Sequence, residues 1–477
     1  MCLPVFMTSV LIIGGGISGL MTAHRLQLDR PQVELLLVEG AAQVGGVVRS
    51  QVDDGLVFEW GPNAFMGPAP ETFRLIRELG LTDQLVSSGA SAKKRYLVKH
   101  GRLIALPRSP LGMLSTRALS LSGRLRLLSE PFQPTGDGTH ESVATFGRRR
   151  VGAEATSMLL DPMVSGVYAG DVERISIAAA FPRVAALERE HGSLLRGMVA
   201  QGKKRRAERR NVQSADRQES SGGQRGVLYS FRHGLGELTT ALGESLSRCI
   251  QTDRSAQSVA RSDDGYVVSF VDGSSVAARA LLVATPAPRA ATLLGGALPD
   301  LAGHLEAIPY APIAVVCLAY RRSQVSHPLD GFGFLAPRQE GRRVLGAIWV
   351  STVYPDHAPA DVVSLRVMIG GAHDPEVVGK PADELVGLAH TDLCTLLKVE
   401  GEPIAHSVYR HPLGIPQYNV GHRERLAKID SLIEASPGLF LTGNAYRGVG
   451  VNDCIVQGAE LAEKIGRYLD EMKDSAS

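Results

Sequence analysis

Apolar residues along the chain fall into short runs of strand length, separated by stretches in which they recur every three or four positions. Residues 10–13 (VLII) form a largely β-branched run of the kind buried in a parallel sheet. GGGISGL and a stretch of helical spacing through Leu28 follow directly. A second apolar run at 33–38 ends in Glu39, and ALLVATPA at 280–287 reads as another buried strand, closed by proline. Residues 230–246 predict a turn and a helix, and 266–271 a strand entering an Asp272-Gly273 hairpin. Four β-rich runs, 313–320, 332–335, 344–351 and 365–369, are parted by turn signals and predict a mixed or antiparallel sheet. Between these parts, residues 117–128, 142–160 and 177–198 show helical spacing and no strand signal. KKRRAERR, from 203, then opens a polar stretch that reads as an exposed basic loop over 201–225.

Composition narrows the class. A chain of 477 residues can bury a core large enough to enclose a cofactor or a flat substrate, without metal or disulfide staples. With 44% hydrophobic and 21% charged residues, 52 glycines and few aromatics, an α/β protein is expected, and a net charge of +2 predicts no nucleic-acid partner. Five scattered cysteines, with no CxxC pair and no histidine cluster at zinc spacing, predict a reducing cytoplasm, no disulfide framework and no metal. Residues 1–23 carry no acidic or lysine side chain before His24, but they lack a basic leader and hold three consecutive glycines, which argues against a signal peptide or a span.

The glycines carry the first chemistry. Gly14, Gly16 and Gly19 occupy G-x-G-x-x-G positions between a predicted strand and helix. In such a loop the first glycine makes the turn, the second admits a pyrophosphate, and the third lets helix pack on strand. Gly15 lies within the loop, and the backbone of Ile17 and Ser18 opens the helix that faces the anion. Glu39, twenty residues beyond Gly19, is placed to accept hydrogen bonds from a ribose. This arrangement predicts a dinucleotide without choosing between NAD and FAD. The next segments favour FAD: VGGVVRS sets Gly46, Val47 and Arg49 beside the same pyrophosphate, and Gly61, Pro62, Asn63 and Ala64 form a rigid turn that can lie against a flat ring.

Together these segments resemble the FAD amine-oxidase-like flavoproteins, and within them the oxygen-dependent protoporphyrinogen oxidases, in the segment order of the myxobacterial type. The likeness continues through KKRYLVKHGRLIALP (93–107), SGVYAGDVERISIAAAFP (165–182), YAPIAVVCLAY (310–320), GFGFLAP (331–337), VLGAIWVST (344–352), HPLGIPQYNVGH (411–422) and GNAYRGVGVNDCI (443–455), nearly the whole chain. The resemblance implies a Rossmann-like FAD-binding domain (7–90 with 226–300 and 437–472), a β-rich substrate domain (91–109 with 301–436) and an inserted helical membrane-binding lobe (110–200). Contact with the membrane would be peripheral, because no stretch of the lobe is apolar enough to span. Non-covalent FAD is implied, with backbone contacts at Ala256 to the adenine and at Asn444, Val449, Gly450 and Val451 to the flavin. In that setting Asn452 or Asp453 caps the last helix, and Cys454 is a packing residue in its first turn.

The implied activity is a six-electron oxidation in three hydride steps, consuming three O2 and releasing three H2O2, at the penultimate stage of haem synthesis. Arg95 stands where the family meets a propionate, and Phe332, Leu335, Ile348 and Met368 match its pocket residues. The backbone oxygen of Gly166, or water, is a candidate proton acceptor, and no catalytic acid or base is assigned. Partners implied are the porphyrinogen and O2, a homodimer, and a ferrochelatase receiving the product; the location implied is cytoplasmic, on the inner face of the membrane. Three alternatives stay open: a coproporphyrinogen III oxidase, another amine-oxidase-like flavoprotein, and a non-enzymatic flavin-binding scaffold.

Overall fold

The computed structural model describes residues 6–107, 112, 116–136, 138, 140–212 and 223–476. Its first sheet gathers strands from three distant parts of the chain. The order is Ile250–Gln251, Leu35–Val38, Phe6–Ile13, Ser275–Val283, Gly265–Phe270 and Ala256–Ser262, with Leu439–Leu441 added alongside Ser275–Val283. The first four strands and the last are mutually parallel, Val10 lying opposite both Leu35 and Ala280. Gly265–Phe270 and Ala256–Ser262 are antiparallel additions. Val10, Leu11, Ile12 and Leu37 are fully buried, as continuous apolar strands in a parallel sheet must be. Helix Ile17–Asp29 covers one face, and helix Val451–Ala476 packs on it through Gly458, whose missing side chain leaves room for Met21.

A second seven-stranded sheet has the order Ala405–Pro416, Tyr310–Arg321, Val362–Gly370, Val344–Trp349, Gly333–Leu335, Arg95–Lys99, Arg102–Leu106. All its pairings are antiparallel except that of Gly333–Leu335 with Arg95–Lys99. One face is sealed by helix Ala382–Leu397, whose Leu385, Ala389 and Leu393 meet Leu365, Val367 and Trp349. The strand Ala405–Pro416 carries Pro412 and no clean alternation, so its pattern gave no strand signal; it sits at an edge, where a proline costs no ladder bond.

The helical insertion runs from Leu121–Leu128 through Val143–Arg150, Asp161–Tyr168, Ile177–Ala180, Pro182–His191 and Leu194–Val212. Its centre is polar as well as apolar. Arg150 is fully buried against Glu130, whose carboxylate also caps the last helix by accepting from the backbone N–H of Leu194 (2.8 Å) and Leu195 (3.1 Å). That helix corrects the loop expected from 201. The basic run through 210 is helical to 212, because Ala, Arg, Lys and Glu are strong helix formers and the entrance is capped. Residues 213–222 of the expected loop lie outside the described residues.

Candidate active site

The glycine loop sits at the carboxyl ends of the parallel strands. Gly14 has φ +110°, and a side chain there would lie 2.8 Å from the Ala284 carbonyl. A Cβ at Gly19 would lie 2.1 Å from the carbonyl oxygen of Gly14, so the helix can close on the strand only with hydrogen at that position. Gly16 is different: a Cβ there would meet nothing within 4 Å. The protein leaves that side of the loop open. Glu39 follows the second strand, and its carboxylate accepts from the backbone N–H of Gly15 (2.7 Å) and Ala41 (2.9 Å), one bond on each oxygen. Its own backbone is tied to Gln251 and Arg254, two residues before Ala256, which brings that segment alongside.

A second glycine turn is joined to the first. The Gly45 N–H donates to the Gly15 carbonyl at 2.7 Å, and a Cβ on Gly46 would lie 3.3 Å from the Gly16 Cα. Arg49 leaves this turn over the ring of Trp60 (5.5 Å) and donates through Nη2 to the Gln43 carbonyl (2.6 Å). Val47, exposed, approaches the third segment, for a Cβ on Gly61 would strike its carbonyl at 2.3 Å. Residues 61–64 are half-buried between this turn and the second sheet.

Tyr418 fixes the C-terminal segment. Its hydroxyl donates to the Asn444 carbonyl (2.6 Å) and accepts from the Gly448 N–H (2.8 Å), which shapes the turn leading into helix Val451–Ala476. Asp453 accepts from the Gly450 N–H (3.1 Å), so it supplies the cap. Asn452 does not: it donates to the Met66 carbonyl and accepts from Thr72, both at 2.8 Å. Cys454 is 4% exposed among Ile17, Leu20 and Met21, and burial pushes its thiol up to about 11. A thiol so placed is a packing group rather than a nucleophile.

Do these segments suit a dinucleotide carrying a flat ring? Four buried polar atoms along them have no hydrogen-bond partner among the described residues: Arg49 Nε, Asn63 Nδ2, Thr285 Oγ1 and Thr442 Oγ1. Buried donors are seldom left unmade, so unmet hydrogen-bonding groups on the segments around an open glycine loop fit an anionic, hydrogen-bonding group. Asn63 and Arg49 belong to expected contacts; the threonines do not. Each follows a strand of the parallel sheet, in VAT and FLT, and that repetition was available in the sequence.

The second sheet faces the turn at 61–64. Leu335 pairs with Gly346, Gly346 with Met368, and Ile348 with both Gly333 and Arg366. Residues two apart share a face, so Leu335, Ile348, Met368 and Arg366 fall on one side, and the Phe334–Tyr96 pairing puts Arg95 there too. Arg95 lies with its guanidinium 5.0 Å over the Phe332 ring, and Phe332 and Ile348 pack in one cluster with Ala64. From the helical lobe, Gly166 abuts Leu335: a Cβ would come within 2.8 Å of its Cδ2. Phe332 and Ile348 thus lie beside the turn expected to carry the ring, with Arg95 over Phe332, while Leu335 and Met368 share the same sheet face and Gly166 closes on Leu335.

The same face holds groups that pattern reading passed over. Arg366, 6% exposed, donates through Nη2 to the Gly61 carbonyl at 2.5 Å, while its Nε has no partner among the described residues. A lone arginine inside LRVMI was the available signal. Tyr409 stacks on Trp60 (4.8 Å), and His411 Nε2 lies 2.9 Å from the Trp60 carbonyl. Glu59, buried beneath them, accepts from Leu235 N–H (2.7 Å) and Ser50 (2.6 Å); burial pushes its carboxyl up to about 7 against the pull of Arg366 and those bonds. These contacts set the 61–64 turn against the sheet.

Comparison with known proteins agrees with this geometry. A profile of the family described as flavin containing amine oxidoreductase matches residues 17–466. The chain is 32% identical to a chloroplastic protoporphyrinogen oxidase of Oryza sativa, over 96% of this chain and 88% of that one. It is 29% identical to a coproporphyrinogen III oxidase of Bacillus subtilis, over 96% and 98%. Among solved structures, an Exiguobacterium protein provisionally described as a protoporphyrinogen oxidase superposes with a TM-score of 0.81 at 25% identity, over 97% of this chain and 99% of that one.

Proposed function

Since the chain belongs to the flavin-containing amine oxidoreductase family, we propose that it uses non-covalent FAD and dioxygen to oxidise protoporphyrinogen IX to protoporphyrin IX. The observation that carries this reading is the sheet face shared by Arg95, Leu335, Ile348 and Met368, with Phe332 packed against Ile348 and the turn at 61–64 and with Gly166 against Leu335. Bound flavin would supply the two-electron chemistry and pass the electrons to dioxygen, three rounds yielding three H2O2.

The chain's own groups bind, orient and exclude. Gly16 and Gly46 leave room for the pyrophosphate, Arg49 Nε and the helix entrance at Ile17 offer donors to it, and Glu39 retains acceptor capacity for the ribose. Asn63, Thr285 and Thr442 carry hydrogen-bonding groups that the ring system would satisfy. On the substrate side, the apolar sheet face shapes a dry wall for a tetrapyrrole, and Arg95 meets a propionate. Gly166 lies in the last turn of its helix, where carbonyls have no partner within the helix. Its oxygen, directly or through a water, is the proposed acceptor of the pyrrole proton.

Coproporphyrinogen III is the second reading, favoured by the Bacillus subtilis relative. Arg95 has neither an ion pair nor a hydrogen bond among the described residues of this face, whereas the neighbouring Lys94 is held by Asp330 at 2.6 Å. Arg366, on the same face, is buried and bonded to Gly61, which leaves Arg95 as the guanidinium for a carboxylate and suits a substrate with two propionates better than one with four. The test is the rate of porphyrin fluorescence from each porphyrinogen, with peroxide measured alongside. Faster turnover of coproporphyrinogen overturns the preference, and peroxide from neither overturns the class of substrate.

We also propose that the lobe touches the inner face of the membrane. Leu121, Leu125 and Leu128, at helical spacing, are 72%, 60% and 48% exposed, and Phe132 is 83% exposed. Among the described residues no helix is long and apolar enough to cross a membrane, so this stripe would lie on a bilayer.

A further inference from the structure

Strand Val362–Gly370 carries an arginine where its pattern calls for an apolar residue. Leu365 and Val367, on either side of it, are fully buried and face helix Ala382–Leu397, so Arg366 projects from the opposite face of the sheet with Ser364 and Met368. Its register partners are Cys317 and Ile348. Among the described residues its guanidinium makes no ion pair, and its hydrogen bond to the Gly61 carbonyl stands alone.

No full counter-charge lies nearby. Burial pushes the Cys317 thiol up to about 12 and holds His411 below its ordinary value, so both are neutral at pH 7. Glu59 is the acid that feels Arg366, but its oxygens are taken by the Leu235 N–H and Ser50, and burial pushes its carboxyl up to about 7. It is therefore about half ionised at neutral pH. Burying a guanidinium without a paired acid is costly, and arginine keeps its proton even so. An apolar side chain, as two residues on at Met368, avoids that cost.

The charge is spent at one place, the turn expected to carry the ring. Strand Leu56–Glu59 runs into Trp60 and Gly61, whose carbonyls are both tied to the second sheet, Trp60 by His411 Nε2 at 2.9 Å and Gly61 by Arg366. Only the second tie is charged. A flavin that accepts a hydride gains one negative charge until a proton joins it, and a fixed cation in a dry, preorganised setting stabilises such a charge far more than one in water does.

We propose that Arg366 is an electrostatic positioning residue for the flavin: through the Gly61 carbonyl it holds the turn at 61–64, and its charge balances the negative charge that the ring takes on reduction. This rests on the reading that the turn carries a flavin ring, and not on the identity of the porphyrinogen.

Anaerobic dye-equilibrium titration of the flavin-loaded protein measures the midpoint potential, with flavin content and thermal unfolding read on each variant. The wild-type potential is expected above that of free FAD under the same conditions. Arg366→Met removes charge and donor, Arg366→Gln removes the charge and keeps an amide donor, and Arg366→Lys keeps the charge. Arg366→Met and Arg366→Gln should each shift the balance roughly tenfold or more toward oxidised flavin, about 30 mV downward for a two-electron couple, while Arg366→Lys stays within about threefold of the wild type. The proposal is overturned if Arg366→Met or Arg366→Gln keeps the wild-type potential, or if Arg366→Lys loses as much as Arg366→Met, which would make the tie one of shape rather than charge. A wild-type potential at or below that of free FAD also overturns it, with no variant needed. A folded wild type that takes up no flavin overturns the cofactor reading as well, whereas the other failures leave that reading standing.

Discussion

Replacing Gly16 by alanine adds one methyl group where the folded chain has nothing within 4 Å. The backbone at Gly16, φ −74° and ψ 172°, is extended and open to any L-residue. Apoprotein stability should therefore hold or rise, by about 0.4–1 kcal/mol, since alanine restricts the unfolded chain. Gly19→Ala is the contrasting perturbation, because its Cβ would lie 2.1 Å from the Gly14 carbonyl oxygen and 3.2 Å from the Ala284 Cβ. A carbon needs roughly 3.5 Å from such neighbours, so helix and loop must part by over an ångström, at about 1–3 kcal/mol as in other overpacked sites. If Gly16 is where a pyrophosphate approaches, the harmless methyl should nevertheless cost flavin affinity. A displacement worth about 1.4–2.8 kcal/mol lowers it roughly 10- to 100-fold. Flavin content from the visible spectrum, with apoprotein melting measured by circular dichroism, tests both at once. Full flavin retention in a normally folded Gly16→Ala protein would refute the placement of the pyrophosphate.

Cys454→Ala should keep most of its activity and lose about 1 kcal/mol of stability, the scale of one buried methylene-sized group; an inactive variant with normal flavin content would make the thiol chemical after all. Arg95→Ala should lower kcat/KM about 10- to 100-fold, with Arg95→Lys recovering part of it, as loss of a charge-assisted contact requires; steady-state kinetics on each porphyrinogen decides. Glu59 titrates near 7 when folded and near 4.5 otherwise, so its stabilising contribution is complete below pH 4.5 and declines until about pH 7. Urea unfolding of the wild type and Glu59→Gln at pH 5 and 8 should show the wild type losing up to about 3 kcal/mol relative to the glutamine variant; a relative gain instead would mean that Arg366 dominates. Leu125→Glu, on the exposed stripe, should weaken co-sedimentation with anionic vesicles while leaving porphyrinogen turnover in detergent unchanged; undiminished binding would remove the stripe from the membrane contact.

Local order set how much could be read in advance. The strand, glycine turn and helix at 10–28 were legible because an apolar run, the spacing of three glycines and helical periodicity all act within twenty residues. Glu39 was legible for the same reason, although its bonds to Gly15 and Ala41 were not. The helix over 203–210 is not legible locally, because charge alone does not separate a helix from a loop, and the cap that starts it comes from Glu130, more than sixty residues away. Asn452 and Asp453 look interchangeable as caps in the sequence; the approach of Met66 and Thr72 takes Asn452 elsewhere.

By itself the sequence determined the alternation that makes an α/β chain, the glycine loop, and the segments by which it resembles its family. Tertiary structure decided what those segments meet. Arg366 reaches Gly61 only because strand Val362–Gly370 lies between Tyr310–Arg321 and Val344–Trp349, and Tyr418 can bind Asn444 and Gly448 only where the end of the second sheet meets the last turn of the first. Strand and helix signals are carried by neighbours in the chain, whereas the partner of a buried polar atom is fixed by register and by the packing of distant elements.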